Sequence, residues 1–285
     1  YVISTRTGDD TVVGGTGADS IDTGTGDDLI VMAGNLNADD TIVGGGDNDK
    51  LTFTDNGLAT SDLDTVSEVE TVELGNANTN IVTVDGLVAA GKNLVVDATA
   101  LSTSTLNWDG ANETDGTFSV TGGDLGDTVT GGDMNDTIDG AEGNDSLSGG
   151  AGDDNMLGGA GDDTIDGGAG NNIVSAGDGN DVVYGGTGND NLSGDDGDDL
   201  FIFDGTNTLT WYWAILPYIE ETATASLRGM GAGYLDPAQT LDGQSVAAFS
   251  CPGRGTRRVV AKNGILQAYA DYAGYMNADV TTSRP

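Results

Sequence analysis

Histidine is absent from this chain, cysteine occurs once, at Cys251, and only nine Lys and Arg stand against 47 Asp and Glu. One Cys and no His exclude a disulfide framework and a Cys/His zinc site. The commonest general base is also missing, and we expect no enzyme. The net charge of −38 would repel nucleic acid and anionic membrane surfaces, and no run of eighteen apolar residues could span a membrane as a helix.

The scarcity of basic residues raises the question of what balances the acids. A chain with so much like charge and so little counter-charge would ordinarily stay disordered, because self-repulsion adds to the entropy cost of folding. A folded state therefore needs positive charge from outside the chain. Metal cations are the natural source of that charge.

What the sequence does contain is a nine-residue repeat. Residues 122–202 divide into nine consecutive blocks without remainder, from GGDLGDTVT to GDDGDDLFI. Gly dominates positions one, two and four of the blocks, Asp holds position six in eight of them, and position eight is apolar in all nine. A flexible Gly/Asp linker would not keep an apolar residue at every ninth position. Each block instead predicts a short strand joined to a Gly-rich turn.

Two successive blocks predict one coil of two strands and two turns. Stacked coils would pair each strand in parallel with the strand eighteen residues away, about 4.8 Å along the axis. Position-eight side chains would then face inward as two apolar stacks, and position-six side chains would form two columns in the turns. One column contains Asp127, Asp145, Asp163, Asp181 and Asp199, and the other contains Asp136, Asp154, Asn172 and Asp190.

These two columns predict metal sites. Carboxylates stacked about 5 Å apart repel each other by several kcal/mol at intermediate dielectric, and Gly at positive φ lets turn carbonyls point toward the same line. A hard divalent cation between successive turns would meet only oxygen atoms, which suits Ca²⁺ better than Mg²⁺. The columns offer four and three such gaps. We expect Asn172 to weaken the ions it touches, and Leu125 and Met134, at position four, to weaken binding in the first coil.

Two more segments precede this main block, which occupies residues 122–205. Residues 1–52 hold an earlier and less regular repeat block, which could add about three gaps of the same kind. Its position-six acids are Asp10, Asp19, Asp28, Asp40 and Asp49. Residues 53–121 lack the Gly-Asp turns and contain short β-branched runs bounded by Gly, Asn and Asp. They predict a spacer of further solenoid coils without calcium turns, with a separate β-sandwich as the alternative.

Residues 206–285 form a C-terminal segment of different composition. All four Pro, two of the three Trp and six of the nine basic residues fall there. A distinct terminal domain, a secretion or anchoring tail, and non-native sequence are three open explanations, so the fold of this segment stays uncertain. Within it, residues 264–276 suggest a short amphipathic helix.

The repeat GGxGxDxUx resembles the RTX nonapeptide of bacterial proteins exported by type I secretion. The resemblance covers the blocks at 5–52 and 122–202, and it implies an all-β, right-handed parallel β-roll or β-helix solenoid with Ca²⁺ in the turns. It also implies that the position-six residues of both blocks are side-chain metal ligands and that nearby Gly carbonyls are backbone ligands. The spacer, with SEVETVEL at residues 67–74, is similar to spacers of RTX-type S-layer proteins and large adhesins.

From this resemblance we expect a secreted, Ca²⁺-folded structural protein of a cell-surface layer or extracellular scaffold. Expected partners are calcium ions, further copies of the chain in a lattice or filament, and a cell-surface glycan. The alternatives are an adhesin module and the calcium module of a secreted enzyme or toxin whose catalytic domain lies elsewhere. The chain begins at Tyr1 without a leader segment, and we expect it to be a fragment or a processed product.

Overall fold

The computed structural model is an all-β solenoid of about eleven coils. It describes residues 1–34, 36–54 and 61–203, together with the backbone of three later strands. The strands along the first part of one side are β1 Val2–Ser4, β3 Ser20–Thr25, β5 Thr41–Gly46 and β7 Val66–Ser67. They form a four-stranded sheet, called here the first odd sheet.

The opposite side of the solenoid is one continuous sheet of ten strands, called here the even sheet. Its strands are β2 Thr11–Val13, β4 Leu29–Ala33, β6 Lys50–Phe53, β8 Thr71–Leu74, β10 Asn93–Asp97, β12 Thr117–Thr121, β14 Thr137–Asp139, β16 Asn155–Ala160, β18 Ile173–Asp178 and β20 Asn191–Ser193. This sheet passes through the first repeat block, the spacer and the main block without interruption. The expected boundaries near residues 52, 121 and 205 are differences of composition, and they stay predictions.

A second odd sheet begins in the spacer, because β7 has no partner beyond β5. Its solenoid strands are β9 Thr79–Val82, β11 Leu106–Asp109, β13 Thr128–Thr130, β15 Ser146–Ser148, β17 Thr164–Asp166, β19 Val182–Tyr184 and β21 Leu200–Phe203. Every strand pair named so far is parallel, and in the main block the paired residues are eighteen apart, as in Thr128 with Ser146. The predicted coil of two strands and two turns is therefore confirmed.

The core is a narrow double stack of inward side chains. In the main block the position-eight residues from Val129 to Val183 are all buried, while their neighbours at positions seven and nine face outward. Alternation of inward and outward side chains is the rule for a strand with one buried face. The apolar period seen in the sequence is therefore the packing period of the core.

The spacer continues the solenoid with longer coils. Strand β10 pairs in parallel with β8 and β12, and its Val95 lies opposite Thr71, 24 residues earlier. Strand β11 pairs with β9, where Leu106 lies opposite Thr79. The expected continued solenoid is confirmed, and the alternative of a separate sandwich does not describe these strands.

Beyond Phe203 the structure describes only the backbone of β22 Ala248–Cys251, β23 Arg254–Lys262 and β24 Ile265–Asp271. These strands are antiparallel to one another, and β24 is antiparallel to β21. The helix expected over 264–276 is wrong for residues 265–271, which form β24; the rest of that range, and most of 206–285, lies outside the described residues. No helix in the described part of the chain has the length and apolar character needed to cross a membrane.

Candidate metal centre

The position-six side chains are tied into columns by backbone hydrogen bonds. The N–H of Asp127 donates to Asp145 Oδ1 at 2.7 Å, and the N–H of Asp145 donates to Asp163 Oδ1 at the same distance. The same bond recurs every eighteen residues down both predicted columns of the main block, ending at Asp199 in one and Asp190 in the other. The two columns predicted from the sequence are therefore present.

The first repeat block forms the same series of hydrogen bonds, with a first step of eighteen residues and later steps of 21. The N–H of Asp10 donates to Asp28 Oδ1, and that of Asp28 donates to Asp49 Oδ1, 21 residues on. The next acceptor is a glutamate, since the N–H of Asp49 donates to Glu70 Oε2 at 2.9 Å. The sequence pattern did not identify Glu70, because it lies outside the nonapeptide blocks.

Nearly all of these acids are buried. Of the fourteen position-six residues, Asp10 is half-buried and the other thirteen are buried, with exposures of 5% or less. Ionised carboxylates are among the most costly groups to remove from water unless a cation or several donors satisfy them. Whether a carboxylate needs a cation therefore depends on what its second oxygen, Oδ2, contacts.

Ten of the fourteen turns share one backbone form, with positive φ at positions two and four. An example is the turn before Asp163, where Gly159 and Gly161 have φ of 111° and 133°. A Cβ on Gly161 would overlap the carbonyl oxygen of Gly143, one coil earlier, so this position tolerates only glycine. The ten turns are those that precede Asp10, Asp28, Asp49, Asp145, Asp154, Asp163, Asn172, Asp181, Asp190 and Asp199.

In seven turns of this form, the position-six carboxylate has an oxygen without a hydrogen-bond donor. A buried Oδ2 atom accepts no hydrogen bond at Asp10, Asp28, Asp49, Asp145, Asp154, Asp163 and Asp181. At Asp145 this oxygen and the carbonyl oxygen of Gly158, from the next coil, lie on the same side of Gly140, where a Cβ would contact both. Oxygen atoms of two successive turns thus converge without a proton between them.

The remaining four turns have a different form, and their carboxylates are satisfied. The N–H of Gly123 donates to Asp127 Oδ2 at 2.7 Å, and the N–H of Gly132 donates to Asp136 Oδ2 at 2.6 Å. These two turns carry Leu125 and Met134 at position four, and neither residue adopts positive φ. Weak binding in this first coil stays a prediction, and its physical reason is that the turn directs an N–H group inward.

The other two satisfied carboxylates lie in the first repeat block. Asp19 Oδ2 accepts the N–H of Gly15 at 2.9 Å, and Asp40 Oδ2 accepts both the backbone and side-chain N–H of Asn37, at 2.9 and 3.0 Å. Asp40 follows the three-residue insertion, which places Asn37 within reach. Nothing in the repeat pattern marks Asp19 as a member of this group, because both Gly14 and Gly15 match the repeat.

Burial has a direct electrostatic consequence for the unsatisfied carboxylates. It raises the pKa of Asp145 and Asp154 to about 7 and that of Asp163 to about 6, against an ordinary value of 3.8. Neighbouring carboxylates add to the effect, as Asp163 and Asp127 do at Asp145. The protein thus holds these acids where the negative form is costly unless a cation is present.

The donor set fits a calcium ion. Carboxylate oxygens lacking donors and carbonyl oxygens from adjacent turns form an all-oxygen environment, and flexible oxygen cages of this kind suit Ca²⁺ better than Mg²⁺. A bound ion would neutralise the carboxylates that the fold brings together. In this role Asp28, Asp145, Asp163 and their equivalents would supply side-chain oxygens, and position-one residues such as Gly158 would supply carbonyls.

A second acidic group lies in the spacer, where Asp85, Glu113 and Asp115 have ligand atoms within 4.8 Å of one another. Glu113 is fully buried, but its Oε2 accepts the N–H of Val88 and its Oε1 accepts those of Asp115 and Gly116. Both oxygens are therefore already satisfied by the backbone. This group differs in that respect from the turns of the repeat blocks.

A parallel solenoid whose turns carry buried carboxylates in register is the arrangement that calcium-binding repeats would form. The chain matches the family model of the RTX calcium-binding nonapeptide repeat, at residues 3–31 and 36–53 and continuously from 121 to 208. These ranges cover nearly half of the chain. The chain thus carries RTX calcium-binding nonapeptide repeats, and proteins with such repeats are typically secreted. No curated protein matches it at a significant level.

Proposed function

We propose that the chain is a secreted structural protein of a cell-surface layer or extracellular scaffold, and that it folds when Ca²⁺ binds outside the cell. The observation that carries the calcium step is the set of seven position-six carboxylates whose buried Oδ2 accepts no hydrogen bond. Without an ion, each costs free energy in the folded state and little in the unfolded chain. Binding and folding are then one process.

The turn geometry indicates which gaps hold ions. A favourable gap lies between two successive turns that both have the ten-turn backbone form and both carry a carboxylate. Such gaps separate Asp10 from Asp28, Asp28 from Asp49, Asp145 from Asp163, Asp163 from Asp181, and Asp181 from Asp199. Two more gaps flank Asn172 and would bind more weakly, because the amide brings no charge. We therefore expect five strong sites, which is fewer than the number of repeats.

The difference in free Ca²⁺ between the inside and the outside of the cell would determine where the chain folds. Extracellular calcium modules commonly bind at 10⁻⁴ to 10⁻³ M, so a site in that range stays empty where free Ca²⁺ is scarce. The acidic repeat blocks would remain unfolded during export and would fold after they reach millimolar Ca²⁺. Typical secretion of RTX repeat proteins supports this order of events.

The structural role is supported by the continuity of the solenoid. The even sheet runs from β2 to β20 through both repeat blocks and the spacer, so calcium at either end would rigidify one body. A rod of this kind suits a layer or scaffold, in which acidic faces of neighbouring copies can share further cations. The finer assignment to a lattice or a filament, and a glycan as partner, belong to the same proposal.

A calcium titration tests the folding step. We expect the β signal in far-UV circular dichroism of the full chain to be weak in chelator and to rise strongly in millimolar Ca²⁺, with Mg²⁺ at the same concentration giving much less. Isothermal titration should count about five tight ions, following the gaps defined above. A β signal in chelator equal to the signal in millimolar Ca²⁺ would contradict calcium-coupled folding.

Electron microscopy and light scattering test the structural role separately. The protein is prepared in millimolar Ca²⁺, imaged, and imaged again after chelator is added. Ordered lattices or filaments that disappear in chelator support the scaffold proposal. Folded monomers at all concentrations in Ca²⁺ would reject self-assembly while leaving calcium-dependent folding intact.

A further inference from the structure

Residues 71–139, called here the middle coils, comprise the later part of the spacer and the first coil of the main block. Their buried carboxylates all accept hydrogen bonds from backbone N–H groups. Three carboxylates in this range are buried: Glu113, Asp127 and Asp136. Asp127 Oδ1 accepts the N–H of Leu106 at 2.7 Å, and Asp136 Oδ1 accepts that of Phe118 at 2.7 Å. With the bonds to Gly123, Gly132 and the amides around Glu113 already described, each of these six oxygens has a donor.

The coils that follow, residues 140–199, differ in this respect. Asp145, Asp154, Asp163 and Asp181 each have one oxygen that is buried without a hydrogen bond. Their single donor comes from the series of hydrogen bonds along the column and reaches only Oδ1. Burial raises the pKa of carboxylates in both regions, including Asp136 and Asp145. At Asp136 both oxygens have N–H donors that oppose this effect, whereas an oxygen without a donor leaves a desolvation cost that a cation must offset.

The middle coils also bury much more apolar surface. They contain fifteen buried apolar side chains, whereas residues 140–199 contain six. The fifteen are Val72, Leu74, Ile81, Leu87, Val88, Leu94, Val96, Ala98, Leu101, Leu106, Trp108, Phe118, Val120, Val129 and Ile138. Burial of apolar side chains is the dominant favourable contribution to folding, so the difference in core size is a large difference in metal-independent stability.

One further contact strengthens the middle coils. The rings of Trp108 and Phe118 meet edge to face, with centroids 5.4 Å apart and planes at 83°, an arrangement that adds to their burial energy.

We propose that the middle coils fold without calcium and provide a preformed end on which the calcium-dependent coils stack. The proposal rests on the calcium-coupled folding proposed above, to which it adds an order of assembly. A parallel coil gains its ladder bonds only from a neighbour that is already ordered, and the first strand pair of a solenoid is the costly one. Folded middle coils remove that cost, so that each bound ion need order only one more coil.

Hydrogen exchange of the full-length chain, followed by mass spectrometry of its peptides, tests the proposal. In excess chelator we expect amides of residues 71–139 to exchange at least about tenfold more slowly than unstructured amides, equal to about 1.4 kcal/mol of opening free energy. Peptides of 140–199 should exchange at the unstructured rate. In millimolar Ca²⁺ both regions should be protected.

The two ways to fail are distinguishable. Loss of protection in both regions in chelator would overturn the proposed calcium-independent middle and leave calcium-coupled folding standing. Equal protection of both regions in chelator would overturn both proposals, because residues 140–199 would then need no ion.

A matched pair of carboxyl-to-amide variants separates the two regions. Glu113→Gln replaces an acceptor by a donor that faces backbone N–H groups, and it should speed exchange of the middle coils in chelator at least about tenfold. Asp163→Asn should leave their exchange in chelator unchanged and reduce the calcium-induced protection of residues 140–199. Unchanged exchange in Glu113→Gln would overturn the role given to that carboxylate.

Discussion

The side-chain amide of Asn172 donates to the carbonyl oxygen of Gly167 at 2.8 Å. In the turns around it, a carboxylate oxygen occupies the place of this NH₂ group and has no hydrogen-bond donor, as at Asp154 and Asp163. The backbone of the Asn172 turn has the same form as theirs, with positive φ at Gly168 and Gly170. Asn172 therefore satisfies with its own N–H a carbonyl that in the neighbouring turns faces the proposed ion.

Restoring the acid at this position should convert a self-satisfied turn into a calcium-dependent one. We expect Asn172→Asp to raise the number of bound Ca²⁺ and the melting temperature in Ca²⁺, and to have little effect in chelator, where residues 140–199 are proposed to be unfolded. Isothermal titration and thermal melts in both conditions measure this. Asn191→Asp is the control, because Asn191 is exposed on β20 and the substitution adds the same charge outside a turn. Equal behaviour of the two variants would contradict the prediction.

The two kinds of turn should respond differently to the same substitution. Asp163→Asn removes a proposed ligand, so its cost should appear in Ca²⁺ and nearly vanish in chelator. Asp127→Asn places an NH₂ group opposite the N–H of Gly123 or Leu106, so it should cost about 1–3 kcal/mol in both conditions. Urea unfolding in Ca²⁺ and in chelator gives the four values. A calcium-dependent cost at Asp127 would show that its turn also holds an ion.

Close contact between coils, as well as backbone conformation, should make the turn glycines irreplaceable. Gly161→Ala must accept positive φ, at about 1–2 kcal/mol, and its Cβ would also overlap the carbonyl of Gly143. Gly8→Ala is the matched control, with φ of 106° but no atom within 4 Å of a Cβ. We expect the melting temperature in Ca²⁺ to fall clearly more for Gly161→Ala. Equal losses would mean that stacking does not constrain the turn.

Acid should partly replace calcium. Burial raises the pKa of Asp145 and Asp154 from 3.8 to about 7 and that of Asp163 to about 6. A raised pKa means that the folded chain binds more protons than the unfolded chain between these values. The stability from protonation is therefore fully present below about pH 4 and is lost as pH rises through 6 to 7.

The measurement is a pH series of thermal melts in chelator, from pH 7 to pH 4, with calcium affinity measured in parallel. We expect the melting temperature in chelator to rise as pH falls, and calcium affinity to fall over the same range because protons and Ca²⁺ compete for the same oxygens. A melting temperature that falls steadily from pH 7 to pH 4 would contradict the assigned pKa directions.

The repeat alone predicted the fold because its nine-residue period determines which side chains share a face of the coil. An apolar residue every ninth position, from Val129 to Val183, can bury a continuous face only if the chain coils every eighteen residues. The same period places position-six residues in two columns, which the hydrogen bonds from Asp127 to Asp145 and from Asp136 to Asp154 confirm. The spacer strands were also predictable, from their β-branched runs.

Which carboxylates lack a donor was decided by the tertiary structure. The sequence pattern treats Asp19, Asp127 and Asp163 alike, yet a turn N–H reaches Oδ2 at the first two and not at the third. That difference depends on φ at positions two and four, and on the neighbouring coil that occupies one side of each turn. Leu125 and Met134 indicated two of the exceptions, whereas nothing in the repeat marked Asp19.

By itself, then, the sequence determined a parallel calcium-repeat solenoid with an apolar double stack and acidic turns, because periodicity alone sets which residues share a face. Only the tertiary structure decided where the negative charge is left for a cation and where the backbone already satisfies it, as at Glu113 and Asp136. The reason is physical: a hydrogen bond depends on the direction of a single N–H group. That direction is set by the turn conformation and the adjacent coil together, and the order of residues does not specify it.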